Sequence, residues 1–178
     1  MNGELLYLGL DLGRSTRTAV VDADGRIRAQ QRVATHFETG RQVVDGLVDA
    51  TTRAIADVTR QGGEIAAVGV GLPGLVQRPT NRVVMLPNLA DVSTIDVFRE
   101  LSDATRLPVV FDNDANAAAY GEWRTGAARG VDDFMYVTLG TGIGAGIVQG
   151  GAIQRGAHGF AGEFGHLKIT TDGLECSC

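Results

Sequence analysis

The sequence predicts an α/β fold built from two related lobes, and three observations predict it. A short apolar strand, a polar loop with glycine and a second strand occupy residues 7–21, and the same plan recurs at residues 134–148; recurrence of one supersecondary unit points to a duplicated architecture. A strand at residues 108–111 delivers a polar run directly onto an alanine-rich helix, the arrangement that sets ligand-holding groups at the C-terminal end of a strand. Between these lies a long amphipathic helix. The repeat puts a first lobe at residues 1–118 and the start of a second at 119–178.

Each element has a local reason. Tyr7, Leu8, Gly9 and Leu10 run into a turn at residues 11–15, and residues 18–21 resume as a strand. Asp22-Ala23-Asp24-Gly25 then turns the chain into a third strand over residues 27–35. Thr39 followed by Gln42 reads as a capping box, and Val43, Val44, Leu47, Val48, Ala54, Ile55 and Val58 trace one helical face up to Gly62-Gly63. Residues 65–71 form a buried-looking strand that ends at Gly71-Leu72-Pro73-Gly74, residues 83–86 a short strand that ends at Pro87-Asn88, and residues 94–105 a second helix. The strand at 108–111 leads through Asp112-Asn113-Asp114 into a helix over 115–123. Strands at 134–139 and 145–148 flank the loop Gly140-Thr141-Gly142-Ile143-Gly144.

Composition narrows the function classes. The 178 residues are 44% hydrophobic and 21% charged, which excludes a disordered or collagen-like chain. Sixteen Lys and Arg against 21 Asp and Glu leave a net charge of −5 with no basic run, so nucleic acid is not an expected direct partner. The longest apolar stretch, residues 65–76, falls short of the ~18 residues a membrane helix needs. The first eleven residues lack the basic flank of a secretory signal, so the protein is expected to be cytoplasmic. The 25 glycines are about twice the usual share and cluster beside apolar strands, as loops that hold a ligand do.

Three constellations carry chemistry. The turn Asp11-Leu12-Gly13-Arg14-Ser15-Thr16 and the loop at residues 140–144 each let backbone N–H groups and hydroxyls converge on a phosphate, although a β-turn that needs glycine for its geometry explains either one alone. Asp114 stands at a strand end between Asn113 and Asn116; it reads as a helix N-cap, as a base for a sugar hydroxyl, or as both. His166, Cys176 and Cys178 are a ligand set suited to Zn²⁺ but one short of tetrahedral closure, with inert thiols as the alternative.

These segments resemble the ROK family of bacterial sugar kinases and sugar-sensing repressors. The resemblance rests on Gly71-Leu72-Pro73-Gly74, Pro87-Asn88-Leu89, Asn113-Asp114-Ala115-Asn116-Ala117-Ala118, the run from Leu139 to Gly146, Gly159-Phe160-Ala161-Gly162-Glu163-Phe164-Gly165-His166 and Cys176-Ser177-Cys178, in family order along the whole chain. It implies the actin-like, ribonuclease-H-like ATPase fold, with the first lobe complete and the second cut short. It implies ATP-dependent phosphorylation of a hexose by the full-length form, in the manner of a glucokinase, with Asp114 as general base. Gly74, Asn88, Asn113, Glu163 and His166 would serve the sugar. Asp11, Gly13, Ser15, Thr16, Gly140, Thr141, Gly142 and Gly144 would serve ATP and Mg²⁺, and His166, Cys176 and Cys178 a structural Zn²⁺. A full-length homo-oligomer is implied as well.

The chain departs from the family pattern in three places. Arg14, Ser15 and Thr16 stand where the kinases usually carry Gly, Thr and Lys, so Arg14 is placed either to pair with phosphate or to obstruct the turn. No aromatic follows Pro87-Asn88-Leu89. The sequence ends at Cys178, ahead of the family's remaining Cys ligand and adenine-binding part. Because the first strand begins by Leu5, no room is expected for the winged helix of the repressor branch. The alternative to a kinase is a non-catalytic sugar-binding or regulatory remnant.

Overall fold

The computed structural model describes residues 4–36, 38–78, 80–87, 90–140 and 142–173. In chain order the elements are β1 (Leu5–Asp11), β2 (Ser15–Asp22), β3 (Ile27–Ala34), α1 (Gly40–Arg60), β4 (Glu64–Leu72), β5 (Leu75–Gln77), β6 (Arg82–Met85), α2 (Val97–Thr105), β7 (Val109–Asn113), α3 (Asp114–Thr125), β8 (Phe134–Leu139), β9 (Ile143–Gln149) and β10 (Ala152–Ile153). Single 3₁₀ turns lie at Ala90–Thr94 and Phe164–His166.

The main sheet has the order β3-β2-β1-β4-β7. Strands β1, β2 and β3 form an antiparallel meander, and β4 and β7 add to it in parallel. The second turn of the meander, between β2 and β3, is held by Asp22, whose Oδ1 accepts the N–H groups of Asp24 and Arg26 at 3.0 and 2.9 Å. Parallel neighbours require a crossover, and α1 supplies the one from the meander to β4. Its capping box forms as the sequence predicts: Thr39 accepts from the N–H of Gln42, and the Gln42 side chain accepts from the N–H of Thr39. Val43, Val44, Leu47, Ala54 and Val58 of α1 bury against Leu6, Leu8, Leu10 and Val20 of the sheet. On the same side lies α2, where Phe98 meets Phe111 of β7 edge to face at 5.9 Å.

Helix α2 begins three residues later than the sequence predicts. Asp96 is its N-cap, accepting from the N–H of Arg99, and the preceding residues close a separate 3₁₀ turn. Strand β9 begins at Ile143 rather than 145. The short strands β5 and β10, of three and two residues, escape a sequence reading because alternation needs about four residues to show. Residue 118 falls within the unbroken helix α3.

The opposite face of the main sheet meets α3, which lies between β4 and β7 on one side and the β8–β9 hairpin on the other. That hairpin, with β10, forms a separate three-stranded sheet. Helix α3 closes on β9 through Ala115 and Ala119, both buried. A Cβ on Gly146 would stand 2.6 Å from both the Ala115 carbonyl oxygen and the Ala119 methyl, so the contact requires glycine there. Among the described residues no helix is long and apolar enough to cross a membrane.

Phe111 is fully buried in the core between β7 and α2, whereas its neighbour Val110 points away and is exposed. Phe111→Ala is expected to cost about 3–5 kcal/mol in urea unfolding. Val110→Ala should stay within about 0.5 kcal/mol. Equal losses at the two positions would contradict this placement of the core.

Candidate active site

The parallel strands end together. Asp11 of β1 pairs with Gly71 of β4, Gly71 with Asp112 of β7, and Leu72 with Asn113. The three strands therefore bring two carboxylates and an amide, from β1 and β7, to one end of the sheet, where α3 begins. The chain leaves this edge through two turns. Leu12 donates its N–H to the Gly71 carbonyl at 3.0 Å, so the turn after β1 folds across the end of β4. Gly74 turns the chain after β4 with φ +115°, and any Cβ there would strike the carbonyl of Met85.

The helix cap differs from the sequence expectation. Asn113, not Asp114, is the N-cap of α3: its Oδ1 accepts from the N–H of Ala115 at 2.9 Å and of Asn116 at 3.2 Å. Its Nδ2 donates to the Gly74 carbonyl at 3.2 Å, which fixes both ends of the amide. Asp114 is thereby released from capping and occupies the first helical position, where its Oδ1 accepts the N–H of Ala115 at 2.8 Å. Burial pushes the Asp114 carboxyl above the usual range; the nearby carboxylates of Asp11 and Glu163 push it further, against the opposing hydrogen bond from Ala115. An ionised helix-capping carboxylate would shift the other way. A half-buried carboxyl poised upward beside two others is suited to taking a proton.

Glu163 and His166 reach this edge from the segment after β10. Their side chains stand 3.6 Å apart, and the 3₁₀ turn between them rests on β9, where a Cβ on Gly162 would come 2.8 Å from the Ala145 carbonyl oxygen. An ion pair ties that segment to the main sheet. Arg155 Nε and Nη2 both bond Asp112 Oδ2, at 3.0 and 2.5 Å, while Asp112 Oδ1 accepts from the Asn113 N–H at 3.0 Å. Asn116 is buried beside it; its Nδ2 lies 3.5 Å from Asp112 Oδ1 and its own Oδ1 has no partner among the described residues.

The chain matches the model of the ROK family over residues 7–178. It belongs to that family. It is 40% identical over 174 residues to a glucokinase of Streptomyces coelicolor, covering 97% of this chain and 53% of the relative. It is 32% identical to a xylose repressor of Bacillus subtilis, covering 96% of this chain and 44% of the relative. A crystal structure of a ROK family glucokinase from Streptomyces griseus, in complex with glucose and AMPPNP, superposes with a TM-score of 0.83 at 40% identity, over 95% of this chain and 52% of that one. The chain spans about half the length of the curated relatives it matches, and its fold is that of the ROK sugar kinases.

Of the residues singled out from the sequence, this ROK chain brings Asp11, Gly74, Asn113, Asp114, Glu163 and His166 to one region. Gly13 sits in the turn after β1, and Ser15 accepts from Arg32 Nε at 2.6 Å. Thr16 is buried on the α1 side, its hydroxyl 2.9 Å from that of Thr35. Gly140 and Gly142 have open space around them, but Gly144 packs within β9 against Thr138 and Ala115. Asn88, Thr141, Cys176 and Cys178 lie outside the described residues. Among those described, no group of three or more His, Cys, Asp and Glu stands together as a metal cluster.

Sequence reasoning missed Arg78, Asn81, Asp112 and Arg155. Arg78 Nη1 donates to the Phe111 carbonyl at 2.9 Å, and Asn81, at φ +54°, accepts the Phe111 N–H at 3.2 Å. Both brace β7 just before its functional end. The sequence signals were faint: a turn-forming Asn at 81 and an Asp ahead of the Asn-Asp pair.

Asn113→Ala removes the cap and should lower stability by about 1 kcal/mol in denaturant unfolding. Asp114 behaves oppositely. With its carboxyl raised in the folded state, the folded chain binds the proton more readily than the unfolded one, so its ionisation costs stability as pH rises through the carboxylate range. Asp114→Asn should therefore raise Tm at pH 7, with the gain vanishing below the ordinary carboxylate range; a pH-independent change would refute the environment described.

Proposed function

We propose that this chain forms the sugar- and phosphate-facing half of a ROK-type hexose kinase that transfers the γ-phosphoryl group of ATP. The observation that carries this reading is Asp114, freed from capping by Asn113 and pushed toward protonation by burial and by the nearby carboxylates of Asp11 and Glu163. In the reaction Asp114 takes the proton of a sugar hydroxyl; that oxygen bonds to the γ-phosphorus, the bond to the bridging oxygen breaks, and ADP leaves with the electron pair. Phosphoryl transfer asks for positioning and charge neutralisation more than for covalent help.

The remaining roles are those that family membership implies. Asn113 and Gly74, already bonded to each other, with Asn88, Glu163 and His166, hold the sugar hydroxyls. Asp11, with the turn through Gly13 and Ser15 and the loop at residues 140–144, faces the phosphates. The carboxylate of Asp11 suits Mg²⁺, which binds through one or two carboxylates and the substrate phosphates. When bound, Mg²⁺ neutralises phosphate charge. The Zn²⁺ that family membership implies would brace the segment carrying His166, with Cys176 and Cys178, and takes no part in the transfer.

A second reading has its own support. The similarity to a xylose repressor, and a Thr16 hydroxyl turned to Thr35 and away from the turn, suit a sugar-binding chain without turnover. An ATP-dependent glucose phosphorylation assay on this chain, and on a version extended to the length of its relatives, separates the two. In the extended protein Asp114→Asn should lower kcat by at least ~10²-fold with sugar affinity nearly unchanged. Sugar binding without turnover in the unaltered extended protein would favour the second reading, and near-normal turnover in the variant would remove Asp114 from the chemistry.

A further inference from the structure

Helix α1 buries the inner face of β1 and β2 but leaves β3 bare. All eight residues of β3 are exposed, including Gln31 and Val33, which lie opposite the buried Thr18 and Thr16 and so share the face turned to α1. The uncovered strip is a cavity of about 270 Å³. Its floor is Thr16 and Thr18; Gln31, Val33 and Thr35 form one wall, and Gln42, Gly46 and Ala50 of α1 the other. Packing within the chain accounts for neither Thr18 nor Gly46. Thr18 is only 6% exposed, yet its hydroxyl has no hydrogen-bond partner among the described residues, although a buried polar group normally has one. Gly46 lies inside a 21-residue helix, where glycine is the least favourable residue after proline. Its φ is not left-handed, and a Cβ there would meet nothing within 4 Å. The missing side chain keeps the cavity open.

We propose that this cavity binds one small neutral molecule rich in hydroxyl groups, of the size of a single sugar ring, on the opposite face of the main sheet from α3. Its hydrogen-bonding groups are uncharged and of both kinds. The hydroxyls of Thr16 and Thr35 bond each other at 2.9 Å, so the pair keeps one proton to donate and lone pairs to accept. Gln31 gives one amide proton to Asp57 at 3.3 Å and has its carbonyl oxygen left over. Gln42 accepts from the Thr39 N–H and donates to Glu38, which leaves its second amide proton. Mixed donors and acceptors match hydroxyls, each of which does both, while Val33 and Ala50 offer apolar surface to C–H groups. At the mouth Arg53 is held by Asp49, Nε to Oδ1 at 2.7 Å, and His36 stands at the exposed rim. An anion entering the cavity would therefore compete with Asp49 for Arg53. The volume lies just below the ~300–1,000 Å³ usual for drug-sized ligands, which suits one ring and not a chain of them. This proposal does not rest on the kinase reading, which assigns no role to α1 or β3.

The test follows the backbone amide signals of the isotope-labelled chain by NMR during titration with glucose, sorbitol, glutamate and orthophosphate. Glucose or sorbitol is expected to shift the amides of residues 16–18, 31–36 and 42–53 saturably, with a Kd on the order of 1 mM for so small a ligand. Whichever of the two saturates at lower concentration tells a ring from an open chain, and either upholds the cavity. The sugar site proposed above would answer instead at residues 74, 113–114 and 163–166, so the two sites succeed or fail separately. Gly46→Leu puts a better helix former into the open space; it should raise Tm and abolish the shifts around the cavity, so that their loss cannot be ascribed to unfolding. Thr18→Val keeps the shape and removes the hydroxyl, and should weaken binding roughly three- to tenfold. Saturable shifts at the cavity that persist in Gly46→Leu would overturn the proposal. So would the absence of saturable shifts there with both glucose and sorbitol, or glutamate or orthophosphate bound as tightly at the same amides.

Discussion

Helix α3 can lie between the two sheets only because the surfaces that meet it carry almost no side chain. Ala115 and Ala119 face Gly144 and Gly146 of β9, and Gly71 of β4 meets the start of the helix from the other side. Packing at that distance leaves no room for a methyl group on Gly146 without moving the helix backbone. The position of the helix sets where its first turn opens. Its first turn carries Asp114, so the chemistry at the site depends on a contact made of small residues a turn away.

The first turn is then fixed by a single amide. Asn113 satisfies two of the N–H groups that every helix start leaves unpaired, and anchors itself to the carbonyl of Gly74. A carboxylate in that role would be held ionised by the helix; with Asn there, the adjacent carboxyl can respond to its surroundings. Those surroundings are half-buried and acidic, and the raised Asp114 follows from them. The neighbouring Asp112 is held instead by two nitrogens of Arg155. Two aspartates separated by one residue are thus differently placed, one against an arginine and one half-buried near other carboxylates.

The Arg155–Asp112 pair also joins parts of the chain 43 residues apart. The segment from Arg155 to His166 has little core of its own: it leans on β9 through Gly162 and on the β5 region through Gly159. The hairpin beneath it is covered on one face only. Phe134, Tyr136 and Thr138 of β8 alternate with exposed Met135, Val137 and Leu139. The order of this half of the site therefore derives from polar links and close backbone contacts more than from apolar burial.

Much of this was legible in the sequence. The capping box at Thr39, the amphipathic face of α1, the turn at Asp22 and the strand running into Asn113-Asp114 are local patterns whose meaning lies within a few residues of one another. The repeated strand, glycine loop and strand plan, with the Asn-Asp and Gly-Glu-His segments, was enough to indicate the family. Which residue capped α3 was not legible, because Asn113 and Asp114 are both good caps and the choice depends on the Gly74 carbonyl, 39 residues away. Nor was the purpose of individual glycines: Gly140 and Gly144 sit in one motif, yet one faces open space and the other faces α3. The Asp112–Arg155 pair required the second sheet to be in place. Local propensity is written in neighbouring residues, whereas charge pairing, burial and close approach belong to the parts of the chain that folding brings together.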